Sequence, residues 1–174
     1  MSETVLRTRD LTKRYGEHAA VQAMSIRLER GRIYGLIGRN GAGKTTLMRL
    51  ISGLSVPSSG SIELFGSGTE QPRTEDLARI GTLIESPSLH GGMTARQNMH
   101  LHRLLRGVPD PGVEERLLEL VGLAGTARKK VRDFSLGMRQ RLGIALALIA
   151  DPELLILDEP VNGQIGRASC RERV

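Results

Sequence analysis

Cysteine and aromatic residues are scarce in this chain of 174 residues. The one cysteine, Cys170, excludes an internal disulfide framework and a cysteine-rich metal site, and it suits a reducing compartment. Only two Tyr, two Phe and no Trp accompany 25 basic residues, which are scattered among 19 acidic ones. Nucleic-acid binding surfaces combine clustered basic residues with aromatic platforms, so the net charge of +6 does not predict a nucleic-acid partner.

Long apolar runs are also missing. The longest, residues 144–150, is far shorter than the roughly 20 residues that a membrane-spanning helix needs. The first residues, Met-Ser-Glu-Thr, lack the charged and then apolar layout of a signal peptide. Apolar residues make up 39% of the chain, which is enough for the core of one domain. We therefore expect a cytoplasmic chain that reaches a membrane only through a partner.

The hydrophobic periodicity predicts an α/β fold. Alternating residues predict two antiparallel strands over residues 5–9 and 24–28, with a polar turn segment over 13–18 between them. Short apolar runs predict further strands over residues 33–37, 61–65 and 80–84, with Tyr34 in the core, and a buried parallel strand over 154–157. Helical spacing and capping residues predict helices over residues 45–52, 94–107, 113–121 and 136–150. The last three helices form an insert in the α/β core.

A glycine-rich loop lies between the predicted strand 33–37 and the helix that follows. It consists of Gly38, Arg39, Asn40, Gly41, Ala42, Gly43, Lys44 and Thr45. This spacing is that of a phosphate loop, in which backbone N–H groups and a helix N-terminus surround an anion. Lys44 is expected on the β- and γ-phosphates of ATP, Thr45 on Mg²⁺ and Thr46 on the α-phosphate side. The alternative is a glycine-rich turn with a solvated lysine.

Two carboxylates, Asp158 and Glu159, end the predicted strand 154–157. Parallel sheets bind ligands at the carboxyl ends of their strands, so this pair suits the second half of a nucleotide site. Asp158 is expected to hold the water shell of Mg²⁺, and Glu159 to orient and deprotonate the attacking water. The alternative, a solvated Asp-Glu turn, is the commoner meaning of such a pair without a phosphate loop.

Between these halves, residues 134–141 read Phe-Ser-Leu-Gly-Met-Arg-Gln-Arg and resemble the signature sequence of ATP-binding cassette (ABC) proteins. Ser135 is placed to cap the helix that starts at Leu136, which would form an anion site. The alternative is a capped amphipathic helix alone. Leu136 replaces the first glycine of the common signature and Met138 its glutamine, whereas Ser135 and Gly137 remain. The resemblance implies that residues 135–138 close over the γ-phosphate held by a second ATPase domain.

Two more positions gain a role from the resemblance. Glu85 stands where most family members have a glutamine that contacts magnesium and the membrane partner, and a carboxylate still suits a cation. With the altered signature, Glu85 resembles the branch that exports, or confers immunity to, bacitracin and lantibiotic-type peptides. Tyr15 stands where the family places a ring that stacks on adenine. The alternatives are an exposed loop acid at Glu85 and a plain surface tyrosine at Tyr15.

The resemblance covers residues 1–163, and these divide into four parts. They are an antiparallel β region (1–32), a phosphate-loop core (33–85), a helical subdomain with the signature (86–150) and the Asp-Glu strand (151–163). Asn162 and Gly163 match the turn that follows in the family. Residues 165–174 instead resemble one reading frame of a sequencing adapter, and Gln164 fits its junction. We therefore expect residues 164–174 to be a non-native tail after a C-terminal truncation, and the chain as given to be inactive.

The function implied is that of the ATPase subunit of an ABC exporter, with ATP and Mg²⁺ as cofactors. Its expected partners are a membrane-spanning permease and a second ATPase domain, identical or not, and its expected place is the inner face of the cell membrane. Three alternatives stay open: a soluble ABC protein, an unrelated phosphate-loop kinase, and a module that binds nucleotide without turnover. The kinase would have no reason to place Ser-Leu-Gly just before an Asp-Glu strand.

Overall fold

The computed structural model describes residues 3–67 and 71–158, and its contacts divide the chain into two units. Unit 1 comprises Met1–Ile84 with Pro152–Ile156, and unit 2 comprises Glu85–Asp151 with Leu157–Val174. The predictions for Glu159, Asn162, Gly163 and residues 164–174 fall outside the described residues.

An antiparallel sheet opens unit 1 and is built around one long strand. Strand β1 (Thr4–Tyr15) pairs with β2 (His18–Met24), β3 (Arg27–Glu29) and β4 (Ser59–Leu64). All three pairings are antiparallel. The antiparallel prediction covers residues 1–32, and the strand predicted over 61–65 joins the same sheet as β4. Leu6 and Leu11 of β1 are fully buried.

The predicted strand 24–28 is divided in the structure because β2 and β3 pair with different halves of β1. Thr8 lies at the division and is only 2% exposed. Its hydroxyl donates to the Met24 carbonyl (2.8 Å) and accepts from the Ile26 amide (3.0 Å). A side chain thus takes the place of the ladder bonds that the division interrupts.

The turn predicted over residues 13–18 is longer than the turn in the structure. Strand β1 continues to Tyr15, and the turn consists of Gly16 and Glu17 alone. The last strand pair joins Tyr15 to His18, and Gly16 has a φ of 59°. Polar side chains do not end a strand whose backbone groups are paired, which is why composition suggests too long a turn.

The rest of unit 1 surrounds an apolar cluster beside this sheet. It contains α1 (Lys44–Ile51), α2 (Thr74–Ala78), β5 (Ile80–Leu83) and all but the last residue of β6 (Leu154–Leu157). Strands β5 and β6 form a second sheet. The buried members of the cluster include Leu47, Leu50 and Ile62. Strand β6 is at its predicted position, but it is not fully buried, since Leu155 is 38% exposed.

The strand predicted over residues 33–37 does not form. Within the described residues this segment belongs to no ladder, and Ile33 and Ile37 are 94% and 95% exposed. An apolar run becomes a strand only where neighbouring strands satisfy its backbone groups, and β5 and β6 pair with each other instead. Tyr34, predicted in the core, is 49% exposed, and its hydroxyl accepts a hydrogen bond from the Glu29 amide (3.0 Å).

Unit 2 is helical, with α3 (Ala95–Leu105), α4 (Gly112–Leu120) and α5 (Leu136–Leu148) around their own core. Short 3₁₀ segments at Ala124–Thr126 and Val131–Asp133 connect α4 to α5. The predicted N-caps are confirmed: Thr94 accepts from the Gln97 amide and Ser135 from the Met138 amide. Among residues 3–67 and 71–158, every helix falls short of the length and apolarity needed to cross a bilayer.

Candidate functional site

Gly43 sets the start of helix α1 and the shape of the loop before it. It is the N-cap residue and has a φ of 82°, in the left-handed region that favours glycine. A Cβ at this position would lie 2.0 Å from the carbonyl oxygen of Ala20 in β2. Only glycine therefore allows the loop to pack against the β1–β2 hairpin in this way.

The ammonium group of Lys44 is hydrogen-bonded to the backbone of the loop before it. Its Nζ donates to the carbonyls of Gly38 (2.8 Å) and Arg39 (3.0 Å), and the Ala42 amide donates to Arg39 O (3.1 Å). The loop thus turns at residues 40 and 41 with an ammonium group held at its centre.

The N-terminus of α1 is open to an anion. Among the described residues, no side chain caps it and its first turn contains no acid. Thr45 and Thr46 lie half-buried in that turn. The N–H groups of a helix N-terminus, the helix dipole and a lysine together form the arrangement that binds phosphate. The geometry of this segment therefore fits the phosphate loop that its sequence predicts.

Tyr15 belongs to the same unit as the loop. It is the last residue of β1, it is 52% exposed, and it pairs across the turn with His18. Because Ala20 of the same hairpin touches Gly43, the tyrosine is carried by an element that packs directly on the phosphate loop. An exposed aromatic ring on such a hairpin is a suitable platform for a base.

Sequence reasoning missed Lys13. Its Nζ lies 5.1 Å from the centroid of the Tyr15 ring. Residues two apart on a strand share a face, so the period of two would have placed Lys13 beside Tyr15 if β1 had been extended that far. The contact between Ala20 and Gly43, in contrast, has no signal in the sequence.

The remaining predicted site residues belong to unit 2. Glu85 has a φ of 63°, an unusual backbone conformation for a residue with a side chain. Ser135 caps α5 through a 3.3 Å bond from the Met138 amide, and Leu136, in the first turn, is 65% exposed. Gly137 also lies in this turn. Asp158 follows β6 directly, and Glu159 lies beyond the described residues.

The chain is similar to known proteins in both sequence and fold. The family model described as ABC transporter matches residues 21–162. The chain belongs to the ABC transporter family. A solved structure of the ATP-binding subunit of an ABC transporter has the same fold, with a TM-score of 0.80 and 29% identity over 91% of this chain and 68% of that one. The predicted fold class is therefore confirmed.

Two relatives in the ABC transporter family carry informative names. The bacitracin transport ATP-binding protein BcrA of Bacillus licheniformis is 48% identical over 92% of this chain. The lantibiotic transport ATP-binding protein SrtF of Streptococcus pyogenes is 43% identical over 97% of this chain and 72% of its own length. The resemblance to the bacitracin and lantibiotic branch is thus confirmed. The chain spans 52% of the length of the bacitracin relative.

The residues present fit the cofactors that the ABC family implies. The open N-terminus of α1 and the ammonium of Lys44 suit the phosphates of a nucleotide. Thr45, Asp158 and Glu85 have oxygen donors, the ligands that Mg²⁺ prefers.

Proposed function

We propose that this chain is the ATP-binding and ATP-hydrolysing part of an ABC exporter of the antimicrobial-peptide resistance type. The observation that carries the proposal is the phosphate loop, in which Lys44 occupies the centre and Gly43 opens the N-terminus of α1. The names of the bacitracin and lantibiotic relatives support the class of cargo.

In this proposal, binding begins at the loop of unit 1. The Lys44 ammonium leaves the carbonyls of Gly38 and Arg39 and pairs with the β- and γ-phosphates, which are stronger acceptors. The amides at the start of α1 hold the same phosphates, and Tyr15 stacks on the adenine. The Lys44 ammonium is bonded to carbonyls of the loop, and the Tyr15 ring is 52% exposed.

Hydrolysis requires groups that lie far apart in the sequence. Thr45, Asp158 and Glu85 would hold Mg²⁺, which when bound offsets the negative charge of the phosphates. Glu159 orients a water and accepts its proton as the water attacks the γ-phosphate. Ser135, Leu136, Gly137 and Met138 present the N-terminus of α5 to the nucleotide of a second ATPase domain.

The proposed partners follow from this role. A membrane-spanning permease carries the cargo, and two ATPase domains close on ATP and separate after its hydrolysis. The proposed location is the cytoplasmic face of the cell membrane, reached through the permease. A gene for a multi-spanning membrane protein beside this one would support transport.

The test is ATP binding by the full chain, measured by calorimetry. Lys44→Ala should weaken ATP binding by about 2 kcal/mol, or roughly thirtyfold, because a charge-assisted bond to phosphate is lost. Lys129→Ala, which removes an exposed lysine of unit 2, should leave the Kd unchanged. Equal affinities for wild type and Lys44→Ala would contradict the proposal.

A further inference from the structure

Lys13 is held between Tyr15 and the loop that follows α1. Both residues lie on one face of β1, and the Lys13 ammonium is over the Tyr15 ring, 5.1 Å from its centroid. The same ammonium donates a 2.7 Å hydrogen bond to the Val56 carbonyl. An ammonium over a tyrosine ring is attracted by the electrons of the ring, so the contact favours one orientation of the ring.

The segment that holds Lys13 is itself fixed to β1. The Ser58 amide donates to the Thr12 carbonyl (2.8 Å), and the Arg14 amide donates to the Ser58 hydroxyl (3.0 Å). Both bonds are made by Ser58, two residues after Val56, and on the other side the Ser55 amide donates to the Arg49 carbonyl (3.2 Å). With the chain bonded on both sides of Val56, its carbonyl is a fixed acceptor. The position of the lysine is therefore determined by the backbone.

The hairpin that carries Tyr15 thus meets both ends of α1. At the start of the helix, the Ala20 carbonyl packs on Gly43. Beyond its end, the loop at Val56 binds Lys13. Lys13 links the tyrosine to the element that begins with the phosphate loop.

We infer that Lys13 is a positioning residue for the nucleotide base, because it holds one face of the Tyr15 ring and leaves the other for stacking. This inference rests on the proposed function. A ring that is already ordered loses less side-chain freedom when a base binds, and ligand affinity rises accordingly. The ring is half-exposed at the end of β1, and the ammonium adds a restraint on its orientation.

The test compares two ligands, ATP and inorganic tripolyphosphate, on the full chain. Lys13→Met keeps the length of the side chain and removes its charge and hydrogen bond. It should weaken ATP binding roughly threefold to tenfold and leave the Kd of tripolyphosphate unchanged, because only ATP has a base. Lys13→Arg should restore ATP affinity, since guanidinium also stacks on aromatic rings and donates to carbonyls. In a Tyr15→Ala background, Lys13→Met should have no further effect.

Four outcomes would overturn the inference. Equal weakening of ATP and tripolyphosphate would mean that Lys13 acts on the phosphates. The link through the ring would be refuted if Lys13→Met left ATP affinity unchanged or if Lys13→Arg failed to restore it. It would also be refuted if Lys13→Met kept its full effect in the Tyr15→Ala background. The proposed function has a separate test. A wild-type chain that binds neither ATP nor tripolyphosphate would contradict the proposed function, and the inference with it.

Discussion

At the residue scale, two separate constraints exclude a side chain at Gly43. Its φ of 82° disfavours any side chain, and a Cβ would also lie 2.0 Å from the Ala20 carbonyl. Gly16 shares only the first constraint, since it has a φ of 59° and nothing within 4 Å of the position of a Cβ. The two glycines therefore separate the cost of backbone strain from the cost of a collision.

We predict that Gly43→Ala lowers the free energy of unfolding by roughly 3 kcal/mol or more, because the substitution adds a collision with backbone to the conformational strain. Gly16→Ala should cost only about 1–2 kcal/mol, the strain of a left-handed residue. Urea denaturation of the two variants measures both values. Equal losses would show that the contact with Ala20 does not constrain the loop.

At the scale of elements, helix α3 is joined to the loop before it by one buried side chain. Asn98 is fully buried, and its Oδ1 accepts from the His90 amide (2.9 Å). Its Nδ2 donates to the carbonyls of His90 (3.1 Å) and Thr94 (2.9 Å). The side chain thus bonds both the amide and the carbonyl of His90, and it adds a second bond to the Thr94 carbonyl, which also accepts from the Asn98 amide (3.0 Å).

Asn98→Ala should lower the free energy of unfolding by about 3 kcal/mol, because the three hydrogen bonds of a fully buried side chain are lost. Gln97→Ala in the same turn is the control. It removes the 2.9 Å bond from the Thr94 amide to the exposed Gln97 side chain, and should cost about 1 kcal/mol or less. Thermal or urea unfolding monitored by circular dichroism compares the two. A control that costs as much as Asn98→Ala would refute the special role of the buried amide.

At the scale of the whole chain, a group of charges joins segments that are far apart in sequence. Glu153 accepts from Arg79 Nε (2.5 Å) and from Arg30, and its amide donates to the Arg79 carbonyl (2.9 Å). Arg30 also pairs with Glu3 (2.9 Å). Hydrogen bonds from Arg79 first, and then from Arg30, lower the pKa of Glu153 from 4.5 to about 2. These contacts hold the start of β6 to the rest of unit 1.

The lowered pKa of Glu153 predicts a pH dependence of stability. The carboxylate stabilises the fold fully above its ordinary pKa of 4.5, and this contribution declines as pH falls towards about 2. Glu153→Gln should therefore lower the free energy of unfolding by about 1 kcal/mol at pH 7, with a smaller difference from wild type at pH 3. Urea denaturation at both pH values measures it.

Glu63→Gln is the matched control for Glu153→Gln. Its carboxylate lies 4.0 Å from Arg7 and from Arg9, too far for strong pairing, so its loss should have little effect at either pH. A Glu153→Gln effect that stays the same between pH 7 and pH 3 would contradict the role of the charge.

Local patterns are sufficient to predict the family, the position of the loop before α1 and most helices, because each depends on residues close in sequence. N-caps such as Thr94 and Ser135 act within one helical turn, so the sequence predicts them for the same reason. Long-range pairing decides the rest. Residues 33–37 have a strand-like composition and form no ladder within the described residues, and β1 extends to Tyr15 through its pairing with β2. The contacts of Gly43 with Ala20 and of Lys13 with Val56 join positions that no local pattern relates, since only folding makes them neighbours.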